Sequence, residues 1–126
     1  MMARRRIDPE AGWHALETWL AGEDQSAAAP DRGTLATAVR YTLEVLAETA
    51  PGNSVEVRVP PFGVTQCVEG PRHTRGTPPN VVETDPLTWL RLATGRLGWD
   101  EAKDGGTVHA SGTRAELGAV LPLWTL

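Results

Sequence analysis

The chain has 126 residues, a formal net charge of −4 and a single cysteine. This length provides for one domain with one hydrophobic core. The negative charge argues against a nucleic-acid partner held by bulk electrostatics. No apolar run approaches the ~20 residues that a membrane span requires, so we expect no stable membrane insertion. A lone cysteine cannot form an internal disulfide, which is compatible with a reducing cytosol, and we expect a cytoplasmic protein.

The chain begins with the pattern of a helix. Asp8-Pro9-Glu10 combines an N-cap, a proline at the first helical position and an acid in the first turn. The apolar stripe that follows, ending near Gly22, consists of Trp13, Leu16, Trp19 and Leu20. Because the polar side lacks a Lys/Arg cluster, packing against the domain is favoured over a membrane-surface role. We assign residues 1–32 to an N-terminal helix and flexible loop, and residues 33–126 to the main part of one compact domain.

The longest predicted helix spans residues 34–50 and ends at Pro51-Gly52. Its apolar positions follow the helical period and are Leu35, Val39, Leu43 and Leu46. Residues 54–60 then alternate Val55, Val57 and Val59 with charged residues. This alternation is typical of a half-buried antiparallel strand. The helix stripe and the valine face both need an apolar partner, and we expect them to pack together.

A second strand is predicted over residues 64–69, after a turn at Phe62-Gly63. In this register Val64, Gln66 and Val68 share one face, which places an amide among valines. The simpler interpretation is that the amide pairs with a neighbouring backbone group. The alternative is that it contacts the polar head of a ligand at the inner face of the sheet.

Prolines and glycines keep residues 70–79 out of the sheet. This loop carries a basic cluster of Arg72, His73 and Arg75. A solvated loop is the default interpretation. The functional alternative is an anion or carboxylate contact at the mouth of a cavity, because guanidinium groups suit both.

Neither a metal site nor a catalytic centre is expected. The three histidines fall on separate predicted elements, without the spacing of metal ligands. Cys67 and His73 could be proposed as nucleophile and base, but nothing in the sequence positions a third group. His109 alternates with Val108 on a strand and should face solvent. We therefore predict a protein without cofactor and without catalysis.

The last third of the chain, residues 84–123, predicts a helix, a short helix, a strand and a closing helix. Asp85-Pro86 begins the first helix, and Gly95 ends it in the left-handed region that glycine enters freely. The short helix covers residues 99–103, and the strand covers residues 107–111. A further strand at residues 80–84 precedes this part. Thr113 to Glu116 matches a capping box for the closing helix, whose apolar side is Leu117, Val120 and Leu121.

This order of elements resembles the sterol-carrier-protein-2 family, and it is most similar to the short stand-alone bacterial members. The resemblance is good over residues 84–123 and looser over residues 33–82. The residues that carry it are Asp85, Trp89, Leu92, Gly95, Leu97, Ala102, Gly106, Val108, Ser111, Gly112, Leu117 and Leu121.

The resemblance implies an α+β fold with a mainly antiparallel sheet of about five strands and helices covering one face. Members of the family hold lipids, acyl chains or sterols in an apolar tunnel between sheet and helices, without catalysis. We therefore expect an apolar small molecule as ligand, and the alternative is a ligand-free interaction domain that forms a homodimer or pairs with a partner enzyme. The expected ligand-binding residues are Val39, Leu43, Leu46, Val57, Val59, Val64, Gln66, Val68, Trp89, Leu92, Leu117 and Leu121.

Overall fold

The computed structural model describes residues 6–25, 30–70 and 80–126. The helices are α1 (Pro9–Asp24), α2 (Arg32–Thr49), α3 (Pro86–Ala93) and α4 (Trp99–Asp104). The strands are β1 (Val55–Val59), β2 (Gly63–Cys67), β3 (Val81–Thr84) and β4 (Val108–Ser111). These elements follow the chain in the order α1, α2, β1, β2, β3, α3, α4 and β4.

Aspartate side chains begin the three longer helices by accepting a backbone hydrogen bond. The bonds join Asp8 to the N–H of Ala11 (3.1 Å), Asp31 to that of Thr34 (2.8 Å) and Asp85 to that of Thr88 (2.9 Å). Each satisfies a donor that the first helical turn leaves without a partner, which typically contributes about 1 kcal/mol. Gly95 follows α3 with a φ of +79°, so the predicted end of that helix is confirmed.

The strands form one mixed sheet in the order β2-β1-β3-β4. The pairs β1–β2 and β3–β4 are antiparallel, and the central pair β1–β3 is parallel. The α+β prediction with a mainly antiparallel sheet is confirmed, with four strands among the described residues where about five were expected.

One face of the sheet is buried by the helices. Val55, Val57 and Val59 are 0% exposed, and their paired neighbours Cys67 and Val82 lie on the same face. The helix α2 packs on the sheet beside β2, while α1 and α3 pack on α2. The apolar stripes of the helices and the valines of β1 belong to one core cluster. The expectation that helix stripe and valine face pack together is confirmed.

The predicted face of β2 is wrong. Val64 is paired with Arg58, and Gln66 is paired with Glu56. Directly paired residues share a face, and the valines between these charged residues fill the core, so Val64 and Gln66 point away from the helices. Val64 is 59% exposed. Val68 lies beyond the end of β2, with a φ of 66°. The register is set by pairing with β1, which the sequence of β2 alone does not reveal.

The predicted closing helix is also wrong. Residues 112–126 contain turns and bends but neither helix nor strand. Thr113 is exposed and begins no helix, and Glu116 accepts a hydrogen bond from the N–H of Gly118 at 2.8 Å. The carbonyl of Leu117 accepts two bonds at 3.0 Å that close a single turn, which Pro122 prevents from continuing.

This C-terminal segment instead completes the end of α3. The N–H groups of Leu123 and Trp124 donate to the carbonyl of Ala93 at 2.9 and 3.1 Å. The N–H of Leu126 donates to the carbonyl of Thr94 at 3.0 Å. The last carbonyls of a helix have no partner within it, so the segment satisfies groups that would otherwise need water. Tertiary bonding therefore outweighs the local capping signal here.

Candidate functional site

Most of the expected ligand-binding residues are buried in the core, and a few lie at the surface. Eight of them are at most 3% exposed and belong to the core cluster: Val39, Leu43, Leu46, Val57, Val59, Trp89, Leu92 and Leu117. Val68 and Leu121 are half-buried against that cluster, whereas Val64 and Gln66 are exposed. The structure thus brings the helix and sheet stripes together, while it separates Gln66 from them.

A buried polar pair joins α2 and α3 inside this core. Trp89 Nε1 donates a hydrogen bond to Thr42 Oγ1 at 2.8 Å. The hydroxyl of Thr42 has the carbonyls of Ala38 and Val39 within 2.9 Å as acceptors for its own proton. Both side chains are fully buried. The pair is internally satisfied, so it ties the two helices together and offers no spare donor to the head group of a ligand.

A cleft of about 520 Å³ opens where α2 meets the edge strand β2, and we call it the α2–β2 cleft. Its apolar wall is formed by Leu43, Ala47, Phe62 and Val64. Leu43 also belongs to the core cluster, so this wall continues into the packed interior. The volume lies within the range of about 300–1,000 Å³ that small-molecule sites occupy.

The rim of the α2–β2 cleft is polar, and two of its side chains, Glu44 and Arg40, are hydrogen-bonded to backbone groups. Glu44 accepts hydrogen bonds from the backbone N–H groups of Arg6 and Ile7, at 2.8 and 2.9 Å to one oxygen. Four residues earlier on α2, Arg40 Nε donates to the carbonyl of Phe62 at 2.8 Å. These contacts hold the N-terminal segment and the β1–β2 turn against α2.

Sequence reasoning found Leu43 and Val64 of the wall, which are among the expected ligand-binding residues, and missed the other rim and wall residues. Phe62 was assigned only to a turn, and Glu44 and Ala47 lie outside the predicted stripe of α2. The available signal in the sequence was an aromatic residue, Phe62, in a turn. In the structure Phe62 is 8% exposed and packs in the core, against residues that are distant in sequence.

A second cleft, of about 660 Å³, lies between the α3–α4 connection and the C-terminal segment, and we call it the C-terminal cleft. Leu92 and Leu121 of the expected set line it, together with Leu97 and Trp99. The expected residues are therefore distributed between the core and the walls of two surface clefts.

The candidate reactive side chains lie in different environments, because Cys67 is buried and His109 is exposed. Burial raises the pKa of the Cys67 thiol to about 11, so the thiol is protonated near neutral pH and is a poor nucleophile. His109 is exposed on β4, as predicted. Arg72, His73 and Arg75, the expected anion contacts, lie outside the described residues. Over the parts of the chain that the structure describes, no group of three or more His, Cys, Asp or Glu could hold a metal ion.

Within residues 6–25, 30–70 and 80–126, no helix has the length and apolar character needed to cross a membrane. A comparison with curated proteins found no match to the sequence. Residues 31–123 match the family model described as bacterial SCP ortholog. The matched segment runs from the N-cap of α2 through the whole sheet to the residues that complete α3. The resemblance to sterol carrier proteins is confirmed, and the chain belongs to the bacterial SCP ortholog family.

Proposed function

We propose that this protein is a non-catalytic carrier or binding module for an apolar small molecule, such as a lipid, a fatty acyl chain or a sterol-like molecule. Membership of the bacterial SCP ortholog family supports the class of function. The observation that carries the proposal is the α2–β2 cleft, an apolar opening at the junction of helix and sheet. Leu43 forms part of its wall and part of the core, so a ligand tail in the cleft would contact the packed interior directly.

The affinity expected for a ligand follows from the length of its apolar tail. Each methylene removed from water contributes ~0.8 kcal/mol, so a tail of about fifteen methylenes gains ~12 kcal/mol. Ordering the ligand costs at least ~4 kcal/mol, and the remaining ~8 kcal/mol corresponds to micromolar affinity. A shorter tail, or one that leaves much of its length in water, would bind in the millimolar range.

The rim determines where a polar head would lie. Gln66 faces away from the helices, so the head position first expected there is replaced by Arg40 on the rim. Arg40 uses Nε for the carbonyl of Phe62, and its two terminal nitrogens can donate to a carboxylate. Glu44 lies on the same rim, where it accepts hydrogen bonds from two backbone N–H groups.

A fluorescent fatty acid tests the site. We would titrate an anthroyloxy-labelled palmitic acid, whose chain supplies the ~15 methylenes that micromolar affinity requires, into the wild type, Ala47→Trp and Ala21→Trp, following the polarisation of the probe. Ala47 lines the α2–β2 cleft, so its replacement fills the cleft from the helix side. Ala21 is an exposed helical alanine on α1 and outside the cleft, so Ala21→Trp is a matched control.

The wild type and Ala21→Trp should saturate at micromolar concentration, whereas Ala47→Trp should bind at least tenfold more weakly. Absence of saturation at tens of micromolar in the wild type would overturn the proposal. Equal binding by Ala47→Trp would show that the ligand lies elsewhere.

A ligand-free interaction domain is the second candidate, and one observation favours it. On the sheet face opposite the helices, four directly paired residues lie side by side, one on each strand: Val64, Arg58, Glu83 and His109. These residues are exposed or half-buried. Native mass spectrometry of the purified protein separates the two functions, because co-purifying lipid supports a carrier and a clean apo dimer supports an interaction domain.

A further inference from the structure

The C-terminal cleft has an unpaired hydrogen-bond donor in its wall. Trp99 is 7% exposed, and its Nε1 is buried without a hydrogen-bond partner. Among the side chains of the described residues, it is the one buried nitrogen or oxygen in this state. Trp89, in contrast, uses its indole N–H on Thr42. A buried donor without an acceptor is costly, so its presence requires an explanation.

The donor edge of the Trp99 ring faces the turn that closes the cleft. A Cβ built on Gly118 would lie 3.3 Å from Trp99 Cδ1, the ring atom bonded to Nε1. Gly118 and Trp99 both line the cleft. The same Cβ position lies 2.8 Å from Glu116 Oε1, so the backbone of Gly118 and the carboxylate of Glu116 cover this edge of the indole.

The covering turn combines two backbone hydrogen bonds to the carbonyl of Leu117, at 3.0 Å, with partly exposed contacts of Glu116. Gly118 donates its N–H to Glu116 Oε1 at 2.8 Å, and Lys103 Nζ lies 3.5 Å from Glu116 Oε2. The side chains of Lys103 and Glu116 are 38% and 53% exposed, so solvent screens this ion pair. A small displacement of the Glu116 carboxylate and Gly118 therefore breaks these exposed contacts and would uncover the indole N–H.

The remaining lining of the cleft defines the ligand chemistry. Its apolar residues include Leu92, Leu97 and Leu121. Asp100, Glu101 and Glu116 supply its charges, and no lysine or arginine occurs among the described residues that line it. This acidic rim disfavours an anionic ligand, while the indole N–H requires an acceptor and the leucines require an apolar body.

We propose that the C-terminal cleft binds a neutral apolar molecule bearing a carbonyl oxygen, and that Trp99 Nε1 donates a hydrogen bond to that oxygen. The ligand's body lies against the leucines, and its oxygen reaches the donor beside Gly118. This site has its own lining, shares no residue with that of the α2–β2 cleft, and does not depend on the function proposed for that cleft.

The indole proton itself reports on this bond. The five tryptophans give five indole signals in a ¹H–¹⁵N spectrum, and Trp99→Phe identifies the signal of Trp99 by its loss. We would titrate labelled wild type with prodan, a neutral naphthyl ketone, and with its analogue in which the carbonyl is replaced by CH₂. The ketone should move the Trp99 indole proton downfield in a saturable way. The analogue should bind three- to tenfold more weakly and leave that proton in place.

Three variants complete the test. Trp99→Phe removes the donor, so it should bind the ketone and its analogue equally. Gly118→Ala places a methyl group 3.3 Å from Trp99 Cδ1 and shifts Glu116 Oε1, which lies 2.8 Å from that position. Because the methyl group blocks the donor edge, ketone binding should weaken at least tenfold. Ala47→Trp fills the other cleft and should leave the Trp99 shift unchanged.

An unmoved Trp99 indole proton in the presence of saturating ketone would overturn the proposal, whatever the behaviour of the variants. Unchanged preference of Trp99→Phe for the ketone would also overturn it, because the acceptor would then be bound by another group. Loss of fatty-acid binding in Ala47→Trp, with the Trp99 shift retained, separates this site from the α2–β2 cleft.

Discussion

The buried hydrogen bond between Trp89 and Thr42 should contribute measurably to stability. Thr42→Val preserves the shape of the side chain but removes the oxygen that accepts from Trp89 Nε1 at 2.8 Å. The indole N–H would remain buried without an acceptor, because Thr42 is 0% and Trp89 is 1% exposed. Stranding a donor in this way costs about 1–3 kcal/mol. For a domain of this size each kcal/mol lowers Tm by roughly 3–5 °C.

A double-mutant cycle in urea separates this bond from other effects of the substitutions. In a Trp89→Phe background the N–H is absent, so adding Thr42→Val should cost close to nothing. The coupling energy between the two sites should therefore be about 1–3 kcal/mol. Thr42→Ser is the control, since it keeps the hydroxyl and loses one methyl group, at a cost of about 1 kcal/mol. If the two substitutions are additive within ~0.5 kcal/mol, the bond does not stabilise the core and the reasoning is wrong.

Three further substitutions or reactions test other parts of the structure. Leu92→Ala should lower the unfolding free energy by about 2–5 kcal/mol in denaturant titration, and less than 1 kcal/mol would contradict its burial. The hydrogen bond from Arg91 lowers the pKa of Glu23, so this pair stabilises the fold above pH 4.5, the ordinary pKa, and ceases to do so as pH falls through the lowered value. Glu23→Gln should cost about 0.5 kcal/mol at pH 7 and nothing at pH 2 in thermal melts, a difference that salt reduces; an equal cost at both values would refute the ion-pair account. Cys67 should react with a thiol reagent at pH 8 only on unfolding, and rapid labelling of the native protein would refute its burial.

Helix starts were predictable from sequence because their determinants are local. Asp8 and Asp85 lie beside the N–H groups that they cap, and proline follows each of them. Gly95 occupies a left-handed position that follows directly from the end of the stripe. The valines of β1 were equally readable, because alternation within five residues determines which side chains share a face.

The face of β2 was not predictable, because it is determined by elements distant in sequence. Val64 appears suited to a buried face, but its pairing with Arg58 places it outside. Gly63 occupies the inner face, where an added Cβ would lie only 3.1 Å from Leu43 Cδ1 of α2. The close approach of helix and strand therefore favours a glycine at a position where the pattern alone indicated only a turn.

The candidate site was predictable in its buried part and unpredictable at its surface. Periodicity identified the residues that meet in the core, because a buried face gives each helix or strand its own apolar pattern. The α2–β2 cleft depends on the distance between two elements, and its wall residues Ala47 and Phe62 follow no stripe that a single element would show. Likewise, Thr113 carries a good capping signal that the bonds between the C-terminal segment and α3 override.

The C-terminal segment provides a physical basis for opening one cleft without unfolding the protein. Before the Gly118 turn, Leu117 is 1% exposed within the core. Beyond the turn, the ring of Trp124 lies 5.4 Å from that of Trp13 and 6.1 Å from that of Tyr41. The backbone N–H of Trp124 donates to the carbonyl of Ala93 at the end of α3. The turn between these anchors is held by two backbone hydrogen bonds to the carbonyl of Leu117 and by contacts of Glu116 at the surface. Movement of the turn would therefore uncover the Trp99 donor while leaving the end of α3, and the core to which the α2–β2 cleft connects, in place.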